Sequence, residues 1–212
     1  INFYKMEDSN KVIDIESEDT YKINDIYTIL LHRKIGEGSF GQIYECININ
    51  TKKIFACKIE SINAFNPQLY HESKIMTKMN GYVGFPSIYE FCYTEQDKIL
   101  VMDYLGPNLE TIMNKLPDRK YSIKTSVMIM SQGVERLKDL HENGIIHRDM
   151  KPENFVIGHK NKERTIYLID FGLSKKYLND DKIHIPMKTQ RSIIGTVRYI
   201  SMNTHQGIEQ SR

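Results

Sequence analysis

His147-Arg148-Asp149-Met150-Lys151-Pro152-Glu153-Asn154, following the helix stop Asn143-Gly144, is the stretch whose reading decides the rest of the chain. A carboxylate at Asp149 can orient an attacking alcohol and accept its proton. Lys151, two residues on, can offset charge spreading over the oxygens of a transferred phosphoryl group. Asn154 offers an amide oxygen to a hard cation, and Asp170, in the downstream run Leu168-Ile169-Asp170-Phe171-Gly172, offers a charged one. Two such oxygens, completed by phosphates and water, suit Mg²⁺. His147 is assigned to structure, because this chemistry needs no second base. The seven histidines show no ligand spacing for a metal of their own.

Upstream, Gly36, Gly38 and Gly41 form G-x-G-x-x-G, a motif shared by several nucleotide-binding folds. A dinucleotide fold is one reading, with Glu60 about 20 residues on as its ribose acid. That fold needs a helix after the third glycine, whereas Gln42 to Ile49 alternates as a strand, with Ile43, Glu45, Ile47 and Ile49 on one face. A strand-loop-strand lid whose glycines let backbone N-H groups approach phosphates fits better, with a plain glycine-rich hairpin as the bland alternative. Lys58 sits in the strand Ile54 to Glu60, beside the small Ala56. A lysine in that apolar setting needs a counter-charge. Glu72, inside a helix expected from Pro67 to Met79, is the nearest suitable carboxylate; taken alone, each residue also reads as a solvated face.

The flanking chain organises around these motifs. Residues 1–26 carry seven acids and three lysines, without a sustained period, and read as a mobile or loosely docked acidic leader. Residues 27–104 read as strands plus one helix, and Leu105-Gly106-Pro107-Asn108 breaks the pattern before a helical part, 105–212. In that part Val127, Met130, Val134 and Leu137 form an apolar stripe on a helix expected from Ser122 to His141. The fold class is therefore α+β in two lobes. Twenty-nine basic against 27 acidic residues exclude a dedicated nucleic-acid binder on bulk charge, and no apolar run is long enough to span a bilayer. Cys46, Cys57 and Cys92 lack metal or disulfide spacing and read as reduced thiols, from which a cytoplasmic or nuclear location is expected.

Taken in order, the glycine loop, strand lysine, helix glutamate, HRDMKPEN and DFG resemble a eukaryotic protein kinase. The segments YHESKIM, VMDYLGPNLE, HRDMKPENFVIG, LIDFGLSKKY and GTVRYISMNTHQGIEQSR resemble the casein kinase I family of Ser/Thr kinases, in which Ser201-Met202-Asn203 stands for the usual APE. The resemblance implies a two-lobe kinase fold using ATP and Mg²⁺. In it Gly36, Gly38 and Gly41 cover the phosphates, Ile43 and Ala56 sandwich the adenine, and Lys58 holds phosphates while paired with Glu72. Met102 is the gatekeeper, and the backbone of Asp103 and Leu105 meets the adenine edge. Asp149 is the base, oriented by Thr196, and Asn154 and Asp170 hold the metal.

The same resemblance implies acidic or pre-phosphorylated protein substrates, with Arg198 helping to bind an anion. Residues 182–212 hold five basic groups, Arg191 and Arg198 among them, against the single acid Glu209, and read either as a solvated face or as a floor for such substrates. The acidic leader is expected to compete for that floor. Arg148 pairs with a phosphorylated activation loop in many kinases; the resembled family generally dispenses with that phosphate, so activity without an upstream kinase is expected. Because the resembled domain continues past the position of Arg212, the second lobe is expected to be incomplete and a chain ending there to be unstable or inactive. The rival from another class is a nucleotide-binding, pseudokinase-like regulatory module.

Overall fold

The computed structural model describes residues 19–38 and 41–212, in two compact units: 1–67 with 89–104, and 68–88 with 105–212. The acidic leader falls largely outside the described residues, as do Ser39 and Phe40.

The first unit is an antiparallel sheet. Its strands are β1 (Thr20–Lys22), β2 (Tyr27–Gly38), β3 (Gly41–Asn48), β4 (Ile54–Ser61), β5 (Ile88–Tyr93) and β6 (Asp97–Met102), ordered β1-β2-β3-β4-β6-β5. Period-two alternation divides the faces. Tyr27, Ile29, Cys46, Phe55, Cys57, Ile99 and Val101 form one buried cluster, while Ala56, Lys58 and Glu60 alternate onto the opposite face of β4. Each large apolar side chain buried there contributes about 1.5–3 kcal/mol, enough to set the register of all the central strands. Burial pushes the Cys46 thiol up to about 12 and raises Cys57 and Cys92 as well. These thiols are protonated packing groups, not nucleophiles.

Within the leader, where the sequence shows no sustained period, one short stretch forms a strand. Thr20–Lys22 pairs antiparallel with Leu30 to Thr28 as the edge strand β1. The reason is a side-chain turn: Asn24 Oδ1 accepts from the N-H groups of Ile26 and Tyr27, both at 2.9 Å, which folds the chain back without any hydrophobic period.

The second unit contains α1 (Leu69–Lys78), α2 (Leu109–Asn114), α3 (Ile123–Glu142) and α4 (Met202–His205). It also has two small ladders, β7 (Ile145–Ile146) with β10 (Lys175–Lys176) and β8 (Phe155–Ile157) with β9 (Ile166–Leu168). Ser122 and Asn108 cap α3 and α2 through side-chain oxygens. Helix α1 is tied to this unit by His71 Nε2 to Ser174 O at 2.7 Å and Lys78 Nζ to Asn143 O at 2.6 Å. From α3 the chain buries Arg136 and Leu140, while Val127, Met130 and Val134 of the expected stripe are exposed.

Candidate active site

The turn after β7 carries the candidate residues His147 to Asn154, and its backbone is bent to do so. Arg148 adopts φ 70°, a conformation few non-glycine residues take. The neighbouring groups stabilise it: Arg148 Nε donates to Leu173 O at 2.6 Å, and the Asp149 N-H donates to His147 Nδ1 at 3.3 Å. That leaves the hydrogen on His147 Nε2, which donates to Ile169 O at 2.9 Å. Burial lowers the His147 pKa despite the opposing carbonyl and acids, so the ring is neutral and structural.

Around Asp149 four groups converge. Oδ1 accepts from Thr196 N at 2.8 Å and Thr196 Oγ1 at 2.7 Å. Oδ2 is 2.9 Å from Lys151 Nζ and 3.2 Å from Asn154 Nδ2. Lys151 Nζ also donates to Thr196 Oγ1 at 3.0 Å, which closes the ring. Burial raises the Asp149 pKa, but the Lys151 hydrogen bond, the two Thr196 donors and the lysine charge outweigh it, and the net shift is downward. The carboxylate is thus ionised at neutral pH and aimed, as a proton acceptor must be.

Asn154 spends its amide N-H₂ on Asp149, at its carbonyl (2.8 Å) as well as its carboxylate, which turns Oδ1 of the amide into the atom available to a cation. Asp170 stands at φ 65° at the end of β9, directly after Ile169, whose N-H donates to Asn154 O at 3.0 Å. Among the described residues no three His, Cys, Asp or Glu side chains gather to hold a metal unaided. Asn154 and Asp170 therefore fit an ion that also carries phosphate or water oxygens. Next along, Phe171 is fully buried, stacks on Phe85 at 5.9 Å and meets the His147 ring edge-on at 5.3 Å. Its N-H donates to Glu72 Oε1 at 3.3 Å, so Glu72, 2% exposed on α1, reaches the segment that carries Asp170.

In the first unit, Lys58 is 6% exposed and registers opposite Ile43 on one side and Leu100 on the other. Ala56 registers opposite Glu45 and Met102, on the same face as Lys58. Gly36 pairs with Ile43 and Gly38 with Gly41. Gly41 is glycine for a local reason: at φ 141° any Cβ would be driven into the Ile59 carbonyl oxygen. Glu60, considered for a dinucleotide ribose, is instead paired with Lys98 at 2.9 Å. Asp103 accepts from Tyr89 Oη at 2.8 Å, and just past Leu105 Gly106 N donates to Ile157 O at 2.9 Å, anchoring the start of the second unit to β8.

The two basic residues proposed for substrate lie in different settings. Arg198 lies over the ring of its neighbour Tyr199 at 5.5 Å, and Arg191 is bound through its N-H to Gly207 O at 2.9 Å. Two ion-pairing or hydrogen-bonding residues escape the sequence reading. Arg136, 5% exposed, donates from Nη1 to Val83 O and so holds the turn that presents Phe85 to Phe171. A lone helix arginine carries no sign of this in sequence. Glu209 lies beside Lys175, and its only sequence mark is being the one acid in a basic stretch.

A carboxylate held ionised by a lysine and a threonine, beside an amide and an acid suited to a phosphate-borne cation, is the arrangement that phosphoryl transfer calls for. The family model described as the protein kinase domain matches residues 29–204, and the chain belongs to that family. Protein kinase domains use ATP and Mg²⁺ and act on proteins. No helix among the described residues is long and apolar enough to cross a membrane.

Proposed function

We propose that this kinase domain is catalytically active, is of the casein kinase I type, and transfers the γ-phosphoryl group of ATP to Ser or Thr hydroxyls of acidic or pre-phosphorylated proteins. The observation that carries the proposal is the Asp149 carboxylate, buried and held on both oxygens by Thr196, Lys151 and Asn154. In the reaction, Asp149 accepts the proton of the substrate hydroxyl as its oxygen bonds to the γ-phosphorus and the bond to the bridging oxygen of ADP breaks. Lys151 faces the charge on the moving phosphoryl oxygens. Bound Mg²⁺ supplies charge neutralisation to the triphosphate, and Asn154 and Asp170 are the residues that would hold it.

The ATP roles of Gly36, Gly38, Gly41, Ile43, Ala56, Lys58, Met102, Asp103 and Leu105, and the Glu72 partnership of Lys58, rest on the family pattern. The casein kinase I assignment rests on the hinge and on GTVRYISMNTHQGIEQSR, where Ser201 caps α4 by accepting from Thr204 N at 3.3 Å. The acidic-substrate preference rests on the basic stretch 182–212, with Arg198 and Arg191 as anion contacts.

The test is phosphate transfer by the chain to Ser, Thr and Tyr peptides, each in neutral, acidic and pre-phosphorylated versions, with Asp149→Asn as control and products located by mass spectrometry. Transfer to acidic or primed Ser/Thr peptides above the control supports the reading. Wild type no better than Asp149→Asn would make the chain a nucleotide-binding regulatory module, and transfer to Tyr or indifference to acidic flanks would overturn the substrate class.

A further inference from the structure

Three side chains at the N-terminal end of α1 meet one short turn of the chain. The Glu72 N-H donates to Gln68 O at 2.8 Å, so Gln68, His71 and Glu72 stand at i, i+3 and i+4 and share a helix face. That face meets Phe171-Gly172-Leu173-Ser174, the turn directly after Asp170, which the Ser174 N-H closes by donating to Phe171 O at 3.0 Å. Glu72 Oε1 accepts from the Phe171 N-H at 3.3 Å, and His71 Nε2 donates to Ser174 O at 2.7 Å. Between these bonds a Cβ on Gly172 would be driven into Gln68 Oε1, so the middle of the turn lies against α1 as well.

The two bonds have opposite polarity and sit at opposite ends of the turn. An ionised carboxylate only accepts, and Glu72 takes the N-H that opens the turn; the His71 ring N-H donates to the carbonyl that ends it. A slide of the turn along α1 therefore breaks at least one of them. On its other side the turn is held by Arg148 Nε, which donates to Leu173 O at 2.6 Å, and by Ser174 Oγ, which donates to His147 O at 3.4 Å. Asp170, one residue upstream at φ 65°, needs such restraint, because that conformation persists only where neighbours over-determine it. Glu72 is buried with the packed side of α1, whereas His71 is exposed, so packing does not account for its aim at Ser174.

We propose that His71 is a positioning residue, whose ring N-H fixes the turn 171–174 against α1 and thereby holds Asp170 in the backbone conformation in which it would take Mg²⁺. The proposal rests on the kinase reading for the metal. Slack in the turn is passed to Asp170 through the Phe171 peptide, and Mg²⁺, which demands near-ideal octahedral geometry, tolerates little displacement of a ligand. Lys78 provides an internal comparison: it also ties α1 to the second unit, at Asn143 O, but from the other end of the helix.

The experiment compares wild type, His71→Ala, His71→Gln and Lys78→Met by amide hydrogen exchange of residues 168–175 without nucleotide, and by the free Mg²⁺ that gives half-maximal kcat at saturating ATP and Ser peptide. In His71→Ala the exchange speeds up and the half-saturating Mg²⁺ rises, each about twofold to tenfold, the range of one neutral hydrogen bond. His71→Gln, which keeps a side-chain N-H donor, stays near wild type, and Lys78→Met shifts neither quantity. Wild-type values in His71→Ala, a glutamine variant no better than the alanine one, or an equal change in Lys78→Met overturns the proposal. Faster exchange with an unmoved Mg²⁺ requirement overturns it too, because the turn would then loosen without reaching Asp170. If wild type is no more active than Asp149→Asn, the kinase reading falls and exchange alone decides: faster exchange in His71→Ala, reversed in His71→Gln and absent in Lys78→Met, supports the grip on the turn, and any other pattern overturns it.

Discussion

Replacing Thr196 with valine removes one hydroxyl and almost no volume, so the site loses hydrogen bonds without gaining a cavity. The hydroxyl makes two contacts, donating to Asp149 Oδ1 at 2.7 Å and accepting from Lys151 Nζ at 3.0 Å. The backbone N-H of residue 196 still reaches Oδ1, at 2.8 Å, so the carboxylate keeps one of its two donors there. A hydrogen bond to a charged group contributes about 1.5–3 kcal/mol. If the whole of one such bond is expressed in the transition state, kcat falls about tenfold to 150-fold, since each 1.36 kcal/mol is a factor of ten.

The pH dependence of Thr196→Val separates aiming from bulk stability. Asp149 is lowered against its burial partly by the Thr196 side chain, so losing that donor moves its pKa up, toward the ordinary value of 3.8. The base must be ionised, so the acid limb of the kcat profile moves to higher pH in Thr196→Val and stays in place in Thr196→Ser. Steady-state kinetics on a Ser peptide across the acid range is the assay. Wild-type kcat in Thr196→Val, or a tenfold loss with an unmoved acid limb and an equal loss in Thr196→Ser, would refute the role given to this hydroxyl.

Lys58→Met replaces a buried ammonium by a side chain of similar length, so folding by circular dichroism is retained while kcat falls about a hundredfold or more; residual activity near wild type would remove Lys58 from the phosphate-binding set. Arg136→Met leaves the Val83 carbonyl unmet at a cost of about 1–3 kcal/mol, which lowers Tm by about 2–4 °C per kcal/mol in a chain of this size. Calorimetry checks it, and an unchanged Tm would mean that the Gly81 to Phe85 turn stands without the arginine. His147 is buried neutral, with its pKa depressed from the ordinary 6.5. Its stabilising contribution is complete above pH 6.5 and shrinks as pH falls toward the depressed folded value, because the unfolded chain takes up the proton first. Nuclear magnetic resonance titration of the His147 ring measures this directly; protonation at or above 6.5 contradicts it.

What the amino-acid sequence made legible was the part governed by periodicity and by dense chemical motifs. The alternation in β3 and β4, the α3 cap at Ser122 and the grouping of Asp149, Lys151 and Asn154 follow from spacing rules that act within a few residues. What escaped were contacts between residues far apart in sequence. β1 depends on the side chain of Asn24, α2 and α4 are one-turn or two-turn helices recognisable only by their caps, and Arg136 works through a carbonyl 53 positions away. Glu209 is the clearest instance. Charge counting sees it as the minority acid of a basic surface, and only the fold shows that its side chain pairs with Lys175, 34 positions away.

The residue set aside as structural explains how two separately strained segments hold one geometry. Arg148 at φ 70° immediately precedes Asp149, the base of the proposed reaction, and Asp170 at φ 65° is the acid proposed to hold the metal; each such conformation costs about 1–3 kcal/mol and persists only where neighbours over-determine it. His147 supplies the over-determination for both. Its Nδ1 accepts the Asp149 N-H, so the residue after the first strained position cannot rotate away. Its Nε2 donates to the carbonyl of Ile169, the residue before the second, while the Ile169 N-H is bound by Asn154 O of the catalytic loop. The ring thus ties the Asp149 loop and the Asp170 segment together at the peptide groups of Asp149 and Ile169, and it can do so only in the neutral Nε2-H form. Protonation would turn Nδ1 into a donor facing the Asp149 N-H and break the first tie. The neutral state that burial enforces on His147 is therefore a condition for Asp149 and Asp170 to keep their places, although the proposed reaction gives the imidazole no proton.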